Sequence, residues 1–575
     1  MNHTHVTTRR SFVAAAGAAA CAATVTGALA TSQANAEEVS GFDQNFWLGE
    51  EPQIDDADVI ETLTADVVVV GLSDSGCCAT RAAVEGGASV IAIEKSEGIN
   101  SCGSGAAIIG GSLEKRWGRE VIDRDLIIDR HMEECQHKCK RTIMSRFVYG
   151  IGDMFDWFLE ACPETYIADT YTDEIPDEGK DNFIVPSFLP APEGWDWREE
   201  QIPTYPVTID MSNLKALLTD QYNRACEEGE VQALFGHFAE KLIMQDGRCC
   251  GVYARDAESG SYKKVMANKG VILCTGDYSS NRALLERFTP EIVERGIQTV
   301  WINRDVEGNL TNDGSGLRMG AWAGAIIQKY HAPATHHMGG GADVAGKGVM
   351  GINGYLQLNR DGKRFMNEDI PGQQLENQIE IQPDGFSYQF FDARWPEQVS
   401  SFPAQHGGAC YYLDPMPQNN TSVQMSARNQ ETLQQAIDDG RCLVADSIEE
   451  LLAQIPEIDA QTAAASIERY NELCEAGVDE DFAKNSKRLF PLVEAPFYAC
   501  RFDQTILLVC MGGLESDEDC HTFDAEHNVI PGLYVAGNMQ GDRFADTYPI
   551  SLRGASVGMA LFFGYIAGQN AAAGI

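Results

Sequence analysis

The longest β-branched run of the chain, Ala65-Asp66-Val67-Val68-Val69-Val70, is apolar at consecutive rather than alternate positions. That pattern predicts a strand covered on both faces, as in a parallel sheet packed between helices. The run leads into Gly71-Leu72-Ser73-Asp74-Ser75-Gly76, and the small residues of 77–86 predict a helix. A second strand is predicted over 89–93, ending at Glu94. Strand, glycine turn, helix and strand make a βαβ unit, with the acid about 20 residues beyond the first glycine. Further strands are predicted at 251–255, 270–274, 355–358 and 533–536. Between 331 and 495 the pattern changes to mixed loops and helices, including amphipathic stretches at 430–437 and 461–473, and then the α/β alternation returns. The expectation is one Rossmann-type α/β fold, residues 61–330 and 496–575, interrupted by an insertion at 331–495, with the acidic, aperiodic residues 37–60 as a linker.

The glycine-rich turn carries the first chemical signal. A dinucleotide fingerprint needs glycine where the backbone turns after the strand, where it approaches a pyrophosphate, and where helix packs on strand. Gly71 and Gly76 meet the first and last needs, and Ser73 departs from the second. The free amides at the start of the following helix are an anion site. Glu94 falls where a carboxylate accepts hydrogen bonds from the ribose hydroxyls of an adenosine half, which favours a free 2′-hydroxyl.

Charge and cysteine usage narrow the classes. With 43 Lys+Arg against 85 Asp+Glu the formal net charge is −42, and no basic stripe is present, so nucleic-acid binding is not expected. Thr8-Arg9-Arg10-Ser11-Phe12-Val13 is a twin-arginine pattern, followed by an Ala-rich run and a small-x-small site at Ala34-Asn35-Ala36. Residues 1–36 are therefore expected to be a twin-arginine signal peptide, placing the mature protein in the periplasm or otherwise outside the cytoplasmic membrane. The seventeen cysteines are scattered, partly as adjacent pairs such as Cys77-Cys78, and do not resemble a disulfide framework. Cys135 and Cys139 lie four apart on a predicted helix, but no further pair stands at iron–sulfur spacing, and the chain has no Cys-x-x-Cys-His, so neither a metal nor a haem is expected.

Beyond the fingerprint, ordered motifs run along residues 62–575: Glu94-Lys95, Asn100-Ser101-Cys102-Gly103-Ser104-Gly105, Val271-Ile272-Leu273-Cys274-Thr275-Gly276, Asn312-Asp313-Gly314, Asp361-Gly362-Lys363-Arg364-Phe365-Met366-Asn367-Glu368, Met511-Gly512-Gly513, and Gly532-Leu533-Tyr534-Val535-Ala536-Gly537-Asn538. In these motifs and their order the chain resembles the FAD-dependent fumarate reductase, succinate dehydrogenase flavoprotein and ketosteroid dehydrogenase superfamily, and within it the exported flavin reductases of anaerobes that include cardiac glycoside reductase. The resemblance implies a glutathione-reductase-like FAD-binding domain interrupted by an α+β capping domain. It implies non-covalent FAD, with Gly71, Ser75 and Gly76 at the pyrophosphate, Glu94 and Lys95 at the ribose end, and Asn100, Ser101, Ser104 and Gly105 along the phosphates and isoalloxazine. It further implies Ala239 near the adenine, Thr275, Gly276 and Asp313 beside the cofactor, Asn538 at the ribityl chain, and Ser556 and Val557 at the pyrimidine edge.

On the substrate side the chain departs from fumarate reductases. Gly372, Leu508 with Val509, and Ser551 stand where the resemblance leads one to expect the proton-donor arginine, the histidines and a carboxylate-binding arginine. A dicarboxylate would leave charges unpaired in a dry site, so fumarate is not expected. Asp546-Thr547-Tyr548-Pro549 resembles the Tyr-Pro segment of ketosteroid dehydrogenases, where a tyrosine hydroxyl polarises a carbonyl. The implied activity is reduction of a C=C bond conjugated to a carbonyl in a small-molecule substrate, with hydride from flavin N5, Tyr548 as donor to the carbonyl, and Tyr330, His331 or Arg553 as the acid; Arg543 is a further nearby cation. The reverse dehydrogenation of a saturated ketone, and a non-catalytic flavin carrier or sensor, stay open at this point. Without a haem in the chain, electrons are expected from a membrane-linked donor such as a cytochrome.

The signal reading generates a direct test. Replacing Arg9 and Arg10 together by lysine should leave the precursor in the cytoplasm, scored by fractionation, and normal secretion of that variant would overturn the expectation.

Overall fold

The structure, a computed structural model, describes residues 46–575 apart from 104, 169–183, 187–195, 201–202, 212, 300–302, 337–338, 343–347, 351–352, 371, 399–400, 403–429 and 503–505. The expected signal peptide at 1–36 lies outside the described residues. Residues Trp47–Ile575 form one compact unit.

The βαβ unit is β1 (Val59–Val70), α1 (Asp74–Glu85) and β2 (Val90–Glu94). Val67 to Val70 are buried, as their unbroken apolar run requires, and each contributes about 1.5–3 kcal/mol by leaving water. Helix α1 starts at Asp74, three residues earlier than expected, which brings its first turn against the glycine loop. Strand β3 (Val231–Phe235) extends the sheet beside β2. The strands β4 (His237–Gln245) and β5 (Arg248–Asp256) form a hairpin leading to β6 (Tyr262–Leu273). Strand β6 runs parallel to β1, with Val70 opposite Leu273.

Strand β7 (Ala332–His336) opens the inserted region. The cap is an antiparallel sheet of β8 (Leu356–Asn359), β9 (Ser387–Phe391), β10 (Leu443–Ala445) and β11 (Phe497–Phe502), in the order β8-β9-β11-β10. Its last strand therefore lies beyond the boundary expected at 495. Helix α2 of the cap (Ala460–Ala476) buries Ala463, Ile467, Tyr470 and Leu473, one stripe at helical spacing, against Leu356, Phe390 and Ala499. The motif residue Arg364 is used inside this cap, where its guanidinium bonds Glu368 at 2.7 and 2.8 Å and Asp479 at 3.0 and 2.8 Å. Burial alone would push the Asp479 carboxyl up, but the Arg364 bonds and backbone N–H donors hold it down to about 2.

After the cap, β12 (Ile506–Met511) pairs antiparallel with β7, setting Ala334 opposite Val509. The chain then rejoins the main sheet through β13 (His521–Phe523) and β14 (Val529–Val535), the latter parallel to β6. Helix α3 (Ala555–Ala573) closes the domain, its small residues packing with those of α1 in one core. The result is an α/β fold with a mostly parallel sheet and an α+β cap.

The linker expected at 37–60 is structured from Trp47 onward. Trp47 is buried with its ring 5.3 Å from Phe288, its carbonyl accepts from Arg318 Nε at 3.1 Å, and the Pro52 carbonyl accepts from Lys241 Nζ at 3.0 Å. An acidic, aperiodic segment gave no sign of this, because a single aromatic anchors it.

The turn itself is sterically constrained. Gly71 has φ +97°, and a Cβ on Gly76 would sit 1.9 Å from the Gly71 carbonyl oxygen. Gly76→Ala should therefore force the turn open and destabilise the protein by about 1–3 kcal/mol or more, read from urea unfolding; unchanged stability would contradict this packing.

Candidate functional site

A cavity of about 540 Å³ opens at the carboxyl ends of β1, β2 and β6, bounded by Val70, Gly71, Glu94, Cys274 and Thr275. This is where parallel α/β sheets hold ligands, since loops diverge there and helix N-termini point inward. Of the residues expected at the cofactor, Gly71, Ser75, Glu94, Lys95, Asn100, Ser101, Gly105, Ala239, Thr275, Gly276, Asp313, Asn538, Ser556 and Val557 all line it. Gly76 is not among the lining residues and acts through its packing on Gly71, and Ser104 lies outside the described residues.

The sequence explains the geometry of the nucleotide end. Glu94 finishes β2, and its carboxylate accepts the Leu72 N–H and the Ser96 N–H, each at 2.8 Å. It thus fixes the glycine turn while facing the cavity. Ser73 replaces the middle glycine without strain, having φ −128°, a region any residue adopts. Lys95 Nζ pairs with Asp313 Oδ2 at 2.9 Å across the cavity mouth. His237 and Phe238 join Ala239 in the lining, a contribution that sequence reasoning missed.

It also missed Asp74. This residue lines the cavity from the first turn of α1, is buried, and its Oδ1 has no hydrogen-bond partner. Desolvation pushes its carboxyl up to about 7, against a smaller lowering by a backbone bond from Cys102. The only sequence signal was an acid inside the glycine-rich turn.

At the other end the wall is apolar. Ala334, Leu508 and Val509, brought together by the β7–β12 pairing, face a group that includes Tyr548, Arg553, Ser556 and Asn538. Burial pushes the Tyr548 hydroxyl up to about 12, while the Arg543 charge and hydrogen bonds from Ser556 act the other way. Its ring lies 5.2 Å from Phe544. Arg553 lines the cavity with Nη2 3.9 Å from Asp210 Oδ1. Asn538 gathers a polar network, donating to Asp277 Oδ2 at 3.3 Å and accepting from Arg543 Nη2 at 3.0 Å and Ser556 Oγ at 3.3 Å. Arg543 is buried, its Nη1 is without a hydrogen-bond partner, and desolvation pushes its guanidinium down to about 10. Ser551 turns away from the cavity, its hydroxyl donating to Glu134 at 2.8 Å. Gly372 begins a cap helix and is not among the described lining residues.

Two expected catalytic residues are not brought to this place. His331 donates through Nε2 to the Gln328 carbonyl at 3.0 Å, accepts the Tyr278 hydroxyl at Nδ1 at 2.7 Å, and stacks on Phe288 at 4.2 Å. Both ring nitrogens are satisfied, and burial pushes the imidazole down to about 4, so it is neutral and donates no proton to the cavity. Tyr330 lies among surface cations, with Lys138 Nζ and Lys329 Nζ each 5.1 Å from its ring. Both are corrections to the sequence reading: Tyr278 and Phe288 capture His331, Tyr330 packs beside Lys138 and Lys329, and neither is among the described lining residues. Tyr548 and Arg553 do line the cavity.

The residues present fit an FAD. The buried Asp74 Oδ1 and Thr275 Oγ1 have no partner in the protein, Glu94 faces the cavity from the strand end, and Gly71 with Gly76 allows the close backbone approach that a pyrophosphate needs.

Comparison with known proteins agrees. A family model described as FAD binding domain matches residues 66–552. The vinyl phenol reductase of Lactiplantibacillus plantarum is 23% identical over 535 residues, covering 88% of this chain and 96% of that one. The digoxin reductase of Eggerthella lenta is 24% identical over 548 residues, covering 90% and 89%. The crystal structure of a 3-ketosteroid-Δ4-(5α)-dehydrogenase from Rhodococcus jostii superposes with a TM-score of 0.67 at 18% identity, covering 91% of this chain and 100% of that one, which shows the same fold.

Asp74 makes cofactor affinity depend on pH. A carboxyl raised to about 7 is neutral below that value and anionic above it, and the anion repels a diphosphate, so binding is strongest below and weakens as pH rises through it. Titration of apoprotein with FAD should show up to about a tenfold loss per pH unit above about 7. Asp74→Asn should flatten the profile and bind more tightly than wild type at about pH 8; a wild-type affinity independent of pH would refute the role given to Asp74.

Proposed function

Because the chain belongs to the family of FAD binding domains and is an FAD-dependent oxidoreductase, we propose that it reduces a C=C bond conjugated to a carbonyl, in a substrate other than fumarate. One observation carries the reading: in the cavity an apolar wall of Ala334, Leu508 and Val509 faces Tyr548 and Arg553, the described lining residues include no histidine pair, and Ser551 bonds Glu134 instead of facing the cavity. The names of the vinyl phenol and digoxin reductases support a reductase of small organic acceptors, the first of them bearing a C=C bond.

Bound flavin supplies the electron pair as hydride. The protein's part is to orient the acceptor and stabilise charge that develops on its oxygen. Tyr548 stays protonated at working pH, since burial holds its hydroxyl at about 12, and it therefore donates an O–H to the carbonyl oxygen as enolate character grows. Phe544 packs beside Tyr548 and limits its motion. Arg553, anchored by Asp210, is the remaining candidate to present a proton to the α-carbon once Tyr330 and His331 are set aside. The flavin is held without a covalent bond in this reading. His237, the one histidine among the described lining residues, bonds the Phe235 carbonyl through Nδ1 at 2.7 Å and adjoins the adenine-side Ala239.

The reading extends to the cell. The twin-arginine pattern supports a place outside the cytoplasmic membrane, and the absence of Cys-x-x-Cys-His from the sequence supports electron delivery by a separate membrane-linked donor such as a cytochrome.

Anaerobic reoxidation of dithionite-reduced protein by enones, enoates and fumarate tests it. Enones or enoates should reoxidise the flavin, and fumarate should be slower by orders of magnitude, because each missing charge-assisted bond removes about 1.5–3 kcal/mol. Tyr548→Phe should slow the productive acceptor about 10²–10³-fold with FAD still bound. Rapid reoxidation by fumarate, or an unimpaired Tyr548→Phe protein, would overturn the proposal.

A further inference from the structure

Away from the cavity lining, the helix Arg124–Glu134 ends in an unusual turn. The run His131-Met132-Glu133-Glu134-Cys135-Gln136-His137-Lys138-Cys139 places two non-glycine residues, Gln136 (φ 51°) and His137 (φ 54°), consecutively in the left-handed region. Such a pair is costly for L-residues and persists where the surroundings hold it. Its effect is to fold the chain back so that Cys139 meets residues from the preceding helical turns.

The outcome is a compact donor set. One imidazole nitrogen of His131 and the sulfurs of Cys135 and Cys139 all lie within 4.8 Å of one another. His131 and Cys135 are 1% and 0% exposed, and Cys139 is 7% exposed, so solvent does not serve them. His131 Nε2 faces the group, 3.8 Å from Cys135 Sγ, and bonds the Arg543 carbonyl at 2.9 Å; Nδ1 is buried with no partner at all. The Met132 thioether lies 3.6 Å from Cys139 Sγ, adding a fourth soft atom at the edge. The neighbouring acid is otherwise engaged, since Glu134 bonds Ser551 and pairs with Arg130.

We propose that His131, Cys135 and Cys139 bind a single zinc ion, with the fourth position open toward Met132. Two thiolates and an imidazole are a zinc donor set, reachable at about 2.0–2.3 Å after small side-chain rotations. The charges balance in a dry site: two thiols each release a proton, two Zn–S bonds form, and the dication with two thiolates is neutral. The imidazole proton moves from Nε2 to Nδ1, and the bond to the Arg543 carbonyl is given up. Occupancy is thereby linked to the segment carrying Arg543, Phe544 and Tyr548. The His131 ring lies 5.5 Å from Phe544, and Lys140 N–H bonds the Asp542 carbonyl at 2.9 Å.

The test uses full-length, flavin-loaded protein, kept anaerobic and stripped with a chelator. Titration with zinc against a chromophoric competitor should give one zinc per chain and release about two protons per ion. Cobalt(II) in its place should give thiolate-to-cobalt charge-transfer absorption. Cys139→Ser should lower zinc affinity by about 100-fold or more while leaving flavin absorbance intact, and His131→Gln should do the same. Cys226→Ser, at an exposed cysteine elsewhere, should leave affinity unchanged. Should Cys139→Ser lose its flavin, the cobalt spectrum of wild type and the His131→Gln variant still decide the matter. Sub-stoichiometric zinc, affinity unchanged in Cys139→Ser, or stoichiometric copper(I) with no zinc binding would overturn it.

Discussion

Everything at the nucleotide end rests on one carboxylate bridging two chain segments. Glu94 receives the Leu72 N–H with one oxygen and the Ser96 N–H with the other, so the end of a buried parallel strand and the glycine turn of its neighbour become one rigid piece. Bonds from backbone amides to a charged acceptor are stronger than neutral ones, and here they close in a buried setting where water offers little competition. The start of the adjacent helix is set by the same piece, and with it the direction in which its free amides point. Both the cavity's position and its polarity follow from that.

Local features of this kind were legible in the sequence because each is written in neighbouring residues. Four consecutive valines announce a strand covered on both faces, a glycine pair announces the turn, and the acid ending the next strand announces a ribose partner. Leu508, Val509 and Ser551 were readable as departures because their positions are counted from motifs close by. What escaped is what depends on rotation of a segment or on distant pairing. His331 was expected as an acid at the substrate, yet Tyr278 and Phe288 from an earlier part of the chain, with Gln328 close by, capture its ring. Trp47 sits in an acidic stretch with no period, and its burial depends on Phe288. Strand Phe497–Phe502 joins the cap because its partners are Ser387–Phe391 and Leu443–Ala445, pairings that no local pattern encodes.

The cap is joined to the main domain through an antiparallel pair, Ala332–His336 with Ile506–Met511, which stands at its entry and exit. The same pair presents Ala334 and Val509 to the cavity, so the strands that root the insertion also furnish its apolar wall. Inside the cap, the Arg364 network with Glu368 and Asp479 is a buried set of charges whose members satisfy one another. Removing one would strand the others in a low-dielectric interior, which gives this polar motif a structural task although it lies in a region associated with substrate.

Arg543 is the counterexample to that balance. Its guanidinium is buried, remains cationic with a value of about 10, and among the described residues has no carboxylate within ion-pair distance. It is tethered instead to the amide oxygen of Asn538, a residue of the cavity wall. A fixed positive charge in a medium that screens poorly favours negative charge that develops nearby, offset in part by the Asp277 carboxyl held on the same Asn538. For a group in the adjoining space, the Arg543 charge lowers the cost of taking on negative charge. That contribution is set during folding and is independent of which acceptor later arrives.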